Sequence, residues 1–354
     1  MGNDRKNAVT GRLVGTKRIA VHALFAGDDS GVPVVMIHGN ASSSEFWRET
    51  MEALPAGFRG IAPDLRGYGD TEDALIDATR GLKDWAEDVL ALLDALGVDG
   101  FHAAGHSLGG MLLFTLAGLA GPRVLSMTMV APGSPYGFGG TKGEDGTPCW
   151  PDFAGSGGGL VNPDFARLMG EKDRGSDNPQ ASPRVVLNSF YWKPPFKPAN
   201  EESLLTSLLS EKVGPERYPG DMTPSPNWPN VAPGKYGPLN AASPKYVGDS
   251  VERFVGTSAP VLWIRGADDQ IVGDFSLFDI GTLGKLGAVP GWPGEEAFPP
   301  QPMLAQTRSV LERRKARAGG PYSEIVIPDC GHTPFVEKAD QFRAAFFGFL
   351  VGAP

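Results

Sequence analysis

Short apolar runs alternate with helical periodicity in the first third of the chain. The run PVVMIH at 33–38 is apolar and β-branched, as expected of a strand buried on both faces. Apolar residues recur at helical spacing from 82 to 96 and stop at Gly97, which predicts an amphipathic helix. The same reasoning predicts a pair of strands within 12–26, strands at 59–62, 101–104 and 124–130, and a helix at 111–119.

This rhythm stops after residue 132. Residues 133–255 are rich in Gly, Pro, Trp and Tyr and show neither short apolar strand-like runs nor helical spacing of apolar residues. We interpret them as an inserted cap, called here the cap insertion. Strands are predicted again at 260–265 and 322–327, with helices at 303–318 and 338–350 and a second irregular stretch over 275–320. Strands that alternate with helices specify an α/β fold with a mainly parallel sheet flanked by helices. The predicted core is therefore 1–132 plus 256–354.

Composition narrows the class of protein. The chain has 354 residues, of which 41% are hydrophobic and 21% charged, so it can bury a large core. Its formal charge of -9 and the lack of a Lys/Arg-rich stripe make nucleic acid an unexpected partner. The N-terminal residues MGNDRKNAVTG contain no apolar signal-peptide core, and no later run is apolar enough to cross a bilayer. We expect a soluble, cytoplasmic protein without membrane partners; nothing predicts its oligomeric state.

Cysteine and histidine usage gives no metal signature. Cys149 and Cys330 are too few for a disulfide framework or a zinc site, and neither is part of a C-x-x-C pair. We interpret both as ordinary thiols, although Cys330 lies close to His332 in the sequence and a reactive thiol is the alternative. No metal and no organic cofactor are expected.

The main chemical signal is Gly105-His106-Ser107-Leu108-Gly109, a G-x-S-x-G motif between a predicted strand and a predicted helix. In that context the motif predicts a nucleophile elbow that presents the hydroxyl of Ser107, with the backbone N–H of Leu108 facing the same space. The alternative is an ordinary strand-to-helix turn in which Ser107 has no catalytic role.

A serine nucleophile needs a base, and the chain has five histidines. His332 follows the last predicted strand, at the sheet edge where α/β sites collect, which makes it the candidate base. A carboxylate should orient it, and the sequence RGADDQ at 265–270 offers Asp268 and Asp269. Adjacent side chains diverge, so only one of the two acids can point at His332.

These motifs, in this order, resemble the α/β-hydrolase family. In that family G-x-x-D follows the strand, and the resemblance thus implies Asp269 as the orienting acid and Asp268 as a solvated or loop-capping acid. His38-Gly39-Asn40 matches the family's HG-x loop. The resemblance implies that the backbone N–H groups of Asn40 and Leu108 form the oxyanion hole and that His38 holds the loop.

The loop after His38 and the elbow residue point to different groups within the α/β-hydrolases. The HGNASSS loop, with Phe46-Trp47, resembles haloalkane dehalogenases. The same loop, with Ala62-Pro63-Asp64-Leu65 and Gly331-His332-Thr333-Pro334-Phe335, also resembles the α/β-hydrolase type of acyl-homoserine lactonase. The dehalogenases carry aspartate at the elbow, where this chain has Ser107, and serine attacks an acyl carbon, so dehalogenase and epoxide-hydrolase chemistry are disfavoured. We assign four further residues to the substrate pocket: Trp47, His106, Trp192 and Trp228.

The function predicted from the sequence is serine-dependent hydrolysis of carboxylic esters, bulky or apolar ones, through an acyl-enzyme on Ser107, His332 and Asp269. Lactone hydrolysis, amide cleavage and cofactor-free peracid formation use the same triad and are alternatives. A small-molecule receptor that does not turn over its ligand is the alternative from a different class. The expected partner is a small-molecule ester or lactone.

Overall fold

The computed structural model describes residues 7–353. The strands in this part of the chain are β1 (Thr10–Gly15), β2 (Ala20–Gly27), β3 (Val32–Ile37), β4 (Phe58–Pro63), β5 (Phe101–His106), β6 (Val124–Val130), β7 (Thr141–Lys142), β8 (Thr147–Pro148), β9 (Met222–Pro224), β10 (Val231–Pro233), β11 (Val261–Gly266) and β12 (Tyr322–Ile327).

Eight of these strands form one sheet in the order β1-β2-β4-β3-β5-β6-β11-β12. From β4 to β12 every pairing is parallel, while β1 and β2 add two antiparallel pairings at one edge. The mainly parallel α/β sheet predicted from the sequence is confirmed. β3 and β11 lie on opposite sides of β5 and β6, so the chain crosses the sheet between them.

Helices cover both faces of the sheet, and none of those in residues 7–353 is long and apolar enough to span a bilayer. They are α1 (Arg48–Glu52), α2 (Lys83–Ala95), α3 (Leu108–Ala120), α4 (Pro163–Gly170), α5 (Pro183–Val186), α6 (Glu201–Leu208), α7 (Pro238–Ala241), α8 (Pro244–Val247), α9 (Ser250–Val255), α10 (Ile280–Lys285), α11 (Met303–Ala318), α12 (Pro334–Glu337) and α13 (Ala339–Gly352), with 3₁₀ turns at Ser44–Trp47, Ala78–Arg80, Gly121–Arg123 and Gly158–Leu160 and a π-helical turn at Leu187–Tyr191.

The central strands are buried on both faces because their side chains alternate between two cores. In β3, Val35 and Ile37 join the core on one face, while Val34 and Met36 join the core on the other. A strand with apolar residues at every position needs helices on both sides, and parallel connections supply them. The continuous apolar run in the sequence therefore becomes a central strand and not an edge strand.

The cap insertion is built from short elements. Its longest helices, α4 and α6, have eight residues each. Proline stands at the first helical position of α4, α5, α7 and α8, where its missing N–H costs no intrahelical hydrogen bond. The many prolines thus explain why this part of the chain forms many short helices and only two-residue or three-residue strands.

A second segment, 271–302, packs against the cap insertion. Buried Gln301 donates from its side-chain amide to the Thr141 hydroxyl at 2.7 Å and to the Gly137 carbonyl at 2.9 Å. The Phe298 ring packs on Trp228 with ring centroids 4.9 Å apart. The irregular stretch that the sequence predicted after 275 is therefore tied to the first one by buried polar and aromatic contacts.

The end of the cap insertion packs on the core. Lys235 accepts a backbone hydrogen bond from Ala78 at 2.9 Å. Phe254, on α9, meets Phe114 of α3 edge-to-face at 4.8 Å. Apolar residues of α7 and α9 belong to the same core as the central sheet. The sequence does not predict this packing, because a segment rich in Gly and Pro shows no periodic pattern of apolar residues.

Replacing Phe254 with alanine should cost about 3–5 kcal/mol of unfolding free energy, since it empties a fully buried aromatic site against α3. Phe275→Ala is the control: this ring is 68% exposed, so its removal should cost less than about 0.5 kcal/mol. Chemical denaturation followed by circular dichroism measures both. A loss below about 1 kcal/mol for Phe254→Ala would mean that α9 does not support the core.

Candidate active site

Ser107 occupies a sharp turn between β5, which ends at His106, and α3, which begins at Leu108. Its φ of 53° lies in the left-handed region, where a residue with a Cβ is strained. The backbone N–H of Ser107 donates to the Val130 carbonyl at 2.9 Å, which holds the turn at the end of the neighbouring strand β6. The strand, turn and helix that the motif predicted are all present.

Two glycines make this turn possible. A Cβ on Gly105 would overlap the backbone of Gly109, and a Cβ on Gly109 would overlap the carbonyl oxygens of Ile37 and His38. No larger residue fits at either position without moving the backbone. The same close approach places the residues after β3 directly beside Ser107.

His332 and Asp269 form a buried pair. The Nδ1 atom of His332 lies 2.7 Å from Oδ2 of Asp269, and both side chains are less than 5% exposed. The other carboxylate oxygen of Asp269 accepts the backbone N–H groups of Ile271 and Val272 at 2.8 and 3.0 Å. The carboxylate is thereby fixed from both sides, and it fixes the imidazole with Nδ1 as the protonated nitrogen.

Asp268 points away from this pair. Its side chain is 43% exposed and forms an ion pair with Lys193 at 3.1 Å. Neighbouring residues at the end of a strand direct their side chains differently, as the sequence reasoning required. Of the two acids left open by the sequence, only Asp269 contacts His332 among the described residues.

The remaining four histidines have partners elsewhere. Burial lowers the pKa of His106 well below its ordinary value, with a further contribution from nearby His332, so its ring is neutral. The individual contacts are His22 with Asp64, His38 with the Gly39 carbonyl, His102 with the Ser126 hydroxyl, and His106 with the His332 carbonyl.

The 38–42 loop brings the Asn40 backbone next to the serine. The Gly39 carbonyl accepts from Nδ1 of His38 at 2.7 Å and from the Ser42 hydroxyl at 2.9 Å. Because the peptide bond is planar and trans, the N–H of Asn40 must point the opposite way. Within residues 7–353, neither this N–H nor that of Leu108 has a hydrogen-bond partner. His38 is fully used in the loop, since its Nε2 also accepts the Leu65 N–H at 3.0 Å.

A cavity of about 460 Å³ opens onto Ser107 and His332. Asn40, His106 and Leu108 also line it. Most of the remaining wall is apolar and comes from the cap insertion and the 271–302 segment. No Asp, Glu, Lys or Arg side chain from the described part of the chain lines it.

A model of the alpha/beta hydrolase fold family matches residues 32–281, well over half of the chain. The chain belongs to the alpha/beta hydrolase fold family. The match starts at β3, includes the elbow and Asp269, and ends before His332.

Individual alpha/beta hydrolase relatives are more distant or match a shorter region. The chain is 42% identical over 106 residues to the dihydrolipoyllysine-residue acetyltransferase component of the acetoin cleaving system of Pseudomonas putida. The matched region covers 30% of this chain and 28% of that protein. The chain is 23% identical over 360 residues to epoxide hydrolase A of Mycobacterium tuberculosis, covering 98% of both chains. The matched region is thus less than a third of the first relative's length.

Solved structures show the same fold. The crystal structure of the esterase RhEst1 from Rhodococcus sp. ECU1013 matches with a TM-score of 0.60 and 20% sequence identity, over 98% of this chain and 99% of that one. At this identity, the likeness extends to the arrangement of the fold and not to the chemistry of the site.

Three of the aromatic residues that the sequence assigned to the pocket do not line the cavity. Trp47 is buried behind the site, where it stacks on Phe335 at 4.3 Å. Trp192 is fully buried in the core, and Trp228 packs on Phe298. All three rings belong to buried apolar clusters. His106 does line the cavity.

Other side chains supply the wall, and the pocket assignment made from the sequence did not include them. Phe190 and Phe278 meet edge-to-face at 5.1 Å, one from the cap insertion and one from the 271–302 segment. The wall further includes Phe138, Phe165, Tyr191, Tyr218, Val272, Leu277, Ile280 and Leu283. A signal in the sequence could have indicated part of this wall: Val272 to Leu283 follow Asp269 closely, which keeps them near His332.

The cysteines and acidic residues give no second site. Burial raises the pKa of the Cys330 thiol, and the nearby Glu337 adds to this effect, so the reactive thiolate is disfavoured. Burial also raises the pKa of Cys149 to about 12. Among residues 7–353, no group of three or more His, Cys, Asp or Glu side chains could hold a metal ion.

Proposed function

We propose that the protein hydrolyses neutral carboxylic esters through an acyl-enzyme, with Ser107 as nucleophile, His332 as general base and acid, and Asp269 as the acid that orients His332. The observation that carries the proposal is the buried His332–Asp269 pair, at 2.7 Å, in one cavity with a serine held in a strained turn. An esterase among the structural neighbours shares this fold.

In the first half of the reaction, the Ser107 oxygen attacks the ester carbonyl carbon while Nε2 of His332 takes the hydroxyl proton. The tetrahedral intermediate then collapses, the bond to the alcohol oxygen breaks, and His332 returns the proton to the leaving alcohol. In the second half, water repeats the attack on the acyl-serine with His332 as base, which releases the acid and restores Ser107. Asp269 holds the imidazole and stabilises its cationic form.

The negative charge on the intermediate needs hydrogen-bond donors. The N–H groups of Asn40 and Leu108, which have no partner in the described part of the chain, are suited to this role. One such donor contributes roughly 3 kcal/mol to transition-state stabilisation. The Asn40 donor needs no reorganisation, because His38 and Ser42 already hold the preceding carbonyl in place.

Epoxide opening, the activity in the name of one relative, does not suit this elbow. A carboxylate that opens an epoxide forms an ester, which water can hydrolyse. A serine that opens an epoxide forms an ether, and the same water and base cannot cleave it. A lactone, in contrast, is a cyclic ester and would follow the proposed steps unchanged.

The cavity wall favours an uncharged substrate. Among residues 7–353, it is lined by no acidic or basic side chain other than the histidines, and most of it is apolar. A carboxylate buried there would lose its hydration without gaining an ion pair, which costs several kcal/mol. The volume of about 460 Å³ falls within the range of pockets for small organic molecules.

A fluorophosphonate should add once, at Ser107, and the wild-type protein should turn over p-nitrophenyl esters. Labelling should disappear in Ser107→Ala and nearly disappear in His332→Ala, because the hydroxyl then lacks its base. Intact-mass and peptide mass spectrometry locate the adduct. Modification of a different serine would contradict the nucleophile, and labelling at Ser107 without ester turnover would favour a receptor.

Asp269→Asn should lower kcat by several orders of magnitude, up to about 10⁴, because an amide cannot stabilise the imidazolium. Asp268→Asn is the matched control and should change kcat by less than about threefold, since its exposed ion pair with Lys193 lies outside the site. Steady-state kinetics on one ester compare them, and the reverse ranking would transfer the role to Asp268.

A terminal carboxylate on the acyl chain should lower kcat/KM by about 100-fold or more, because the wall offers no cation. p-Nitrophenyl hexanoate and the mono-p-nitrophenyl ester of adipic acid have acyl chains of equal length and make the comparison. The methyl p-nitrophenyl diester of adipic acid, which is longer but neutral, is the control. Equal kcat/KM for the anionic and neutral esters would contradict the proposed substrate class.

A further inference from the structure

Tyr191 contacts the two loops on either side of Ser107. Its hydroxyl donates to the Ala41 carbonyl at 2.9 Å and lies 3.2 Å from the Asn40 carbonyl oxygen. Its own backbone carbonyl accepts the Thr333 N–H at 2.8 Å and also accepts from the Thr333 hydroxyl. One residue of the cap insertion therefore joins the residue after Asn40 to the residue after His332.

The hydroxyl of Tyr191 is committed to this contact. The residue is 7% exposed, and burial raises the pKa of its phenol well above the ordinary value, so it stays protonated and acts as a donor. The ring forms part of the cavity wall while the hydroxyl turns to backbone carbonyls. Tyr191 thus shapes the site without offering its single proton to a substrate.

The 38–42 loop needs such support. Ala41 has a φ of 45°, in the left-handed region, which a non-glycine residue adopts only when its surroundings hold it there. His38 and Ser42 hold the Gly39 carbonyl, and Tyr191 donates to the Ala41 carbonyl. The Gly39 carbonyl shares a peptide plane with the Asn40 N–H, and the Ala41 carbonyl lies two peptide units further on. The loop is thus held on both sides of Asn40: by His38 and Ser42 before it and by Tyr191 after it.

The neighbours of Tyr191 reinforce the contact to the histidine loop. The backbone N–H of Lys193 donates to the Glu337 carboxylate at 3.1 Å, and its ammonium group pairs with Asp329 at 2.7 Å. A Cβ on Gly331 would collide with the backbone of Trp192. The three residues 191–193 therefore lie directly against the loop that carries His332.

We infer that Tyr191 is a positioning residue: its hydroxyl fixes the 38–42 loop, and its backbone fixes that loop relative to His332. The cap insertion is then a working part of the catalytic site as well as its cover. The inference rests on the proposed ester hydrolysis for its kinetic consequence, whereas its structural consequence does not depend on that activity.

The test is Tyr191→Phe, which keeps the ring in the cavity wall and removes only the donor. We expect kcat to fall about tenfold, less than for loss of a whole oxyanion donor, with KM within about twofold. Tyr246→Phe is the matched control. It deletes a tyrosine hydrogen bond of the same kind, to the Gly234 carbonyl at 2.8 Å, away from the cavity.

A second measurement is independent of activity. Hydrogen exchange followed by mass spectrometry should show faster exchange in the peptide covering 38–44 in Tyr191→Phe and wild-type exchange there in Tyr246→Phe. Faster exchange together with the loss of kcat supports the positioning role. Unchanged exchange overturns it, whatever the kinetics, because the hydroxyl would then act on the substrate or not at all. If the wild-type protein hydrolyses no ester, the proposed function fails, and the exchange result still decides the role of Tyr191.

Discussion

Contact between two backbones sets the geometry of the site. The elbow after β5 passes so close to the end of β3 that a side chain on Gly109 would overlap the carbonyls of Ile37 and His38. This approach requires β3 and β5 to be adjacent in the sheet, which they are. It also places the 38–42 loop beside Ser107 without any further connection. The position of the proposed oxyanion donors is thus a consequence of strand order and two glycines.

The covering part of the molecule follows a different principle. No regular element of more than eight residues occurs between β6 and α9 in the described chain, so hydrogen bonds from side chains to backbone replace the missing helical and sheet bonds. Gln301 is an example, since its amide donates to the Gly137 carbonyl across 164 residues of sequence. Contacts of this kind fix a cavity wall in place, yet each one depends on the exact path of a loop.

This difference explains how much could be predicted from the sequence. Short apolar runs and helical periodicity are local patterns, and they located the sheet strands and α11, whose bounds match the prediction. The G-x-S-x-G motif located the elbow for the same reason. The choice of Asp269 over Asp268 needed the family resemblance. The directions of Trp192, Trp228 and Phe190 depend on loops without periodicity, so the sequence could not tell which rings face the cavity.

The return of the cap insertion to the core has a consequence for recombining such proteins. α9 supports α3, the helix that starts at the elbow, through the contact between Phe254 and Phe114. A chimera that exchanges everything up to residue 255 for another family member's cap would remove this support and leave a hole beneath the helix that presents Ser107. The carbonyl of Lys235 already bonds to the core. A junction before Lys235 therefore keeps this protein's own α9 against α3 and exchanges only the part that covers the cavity.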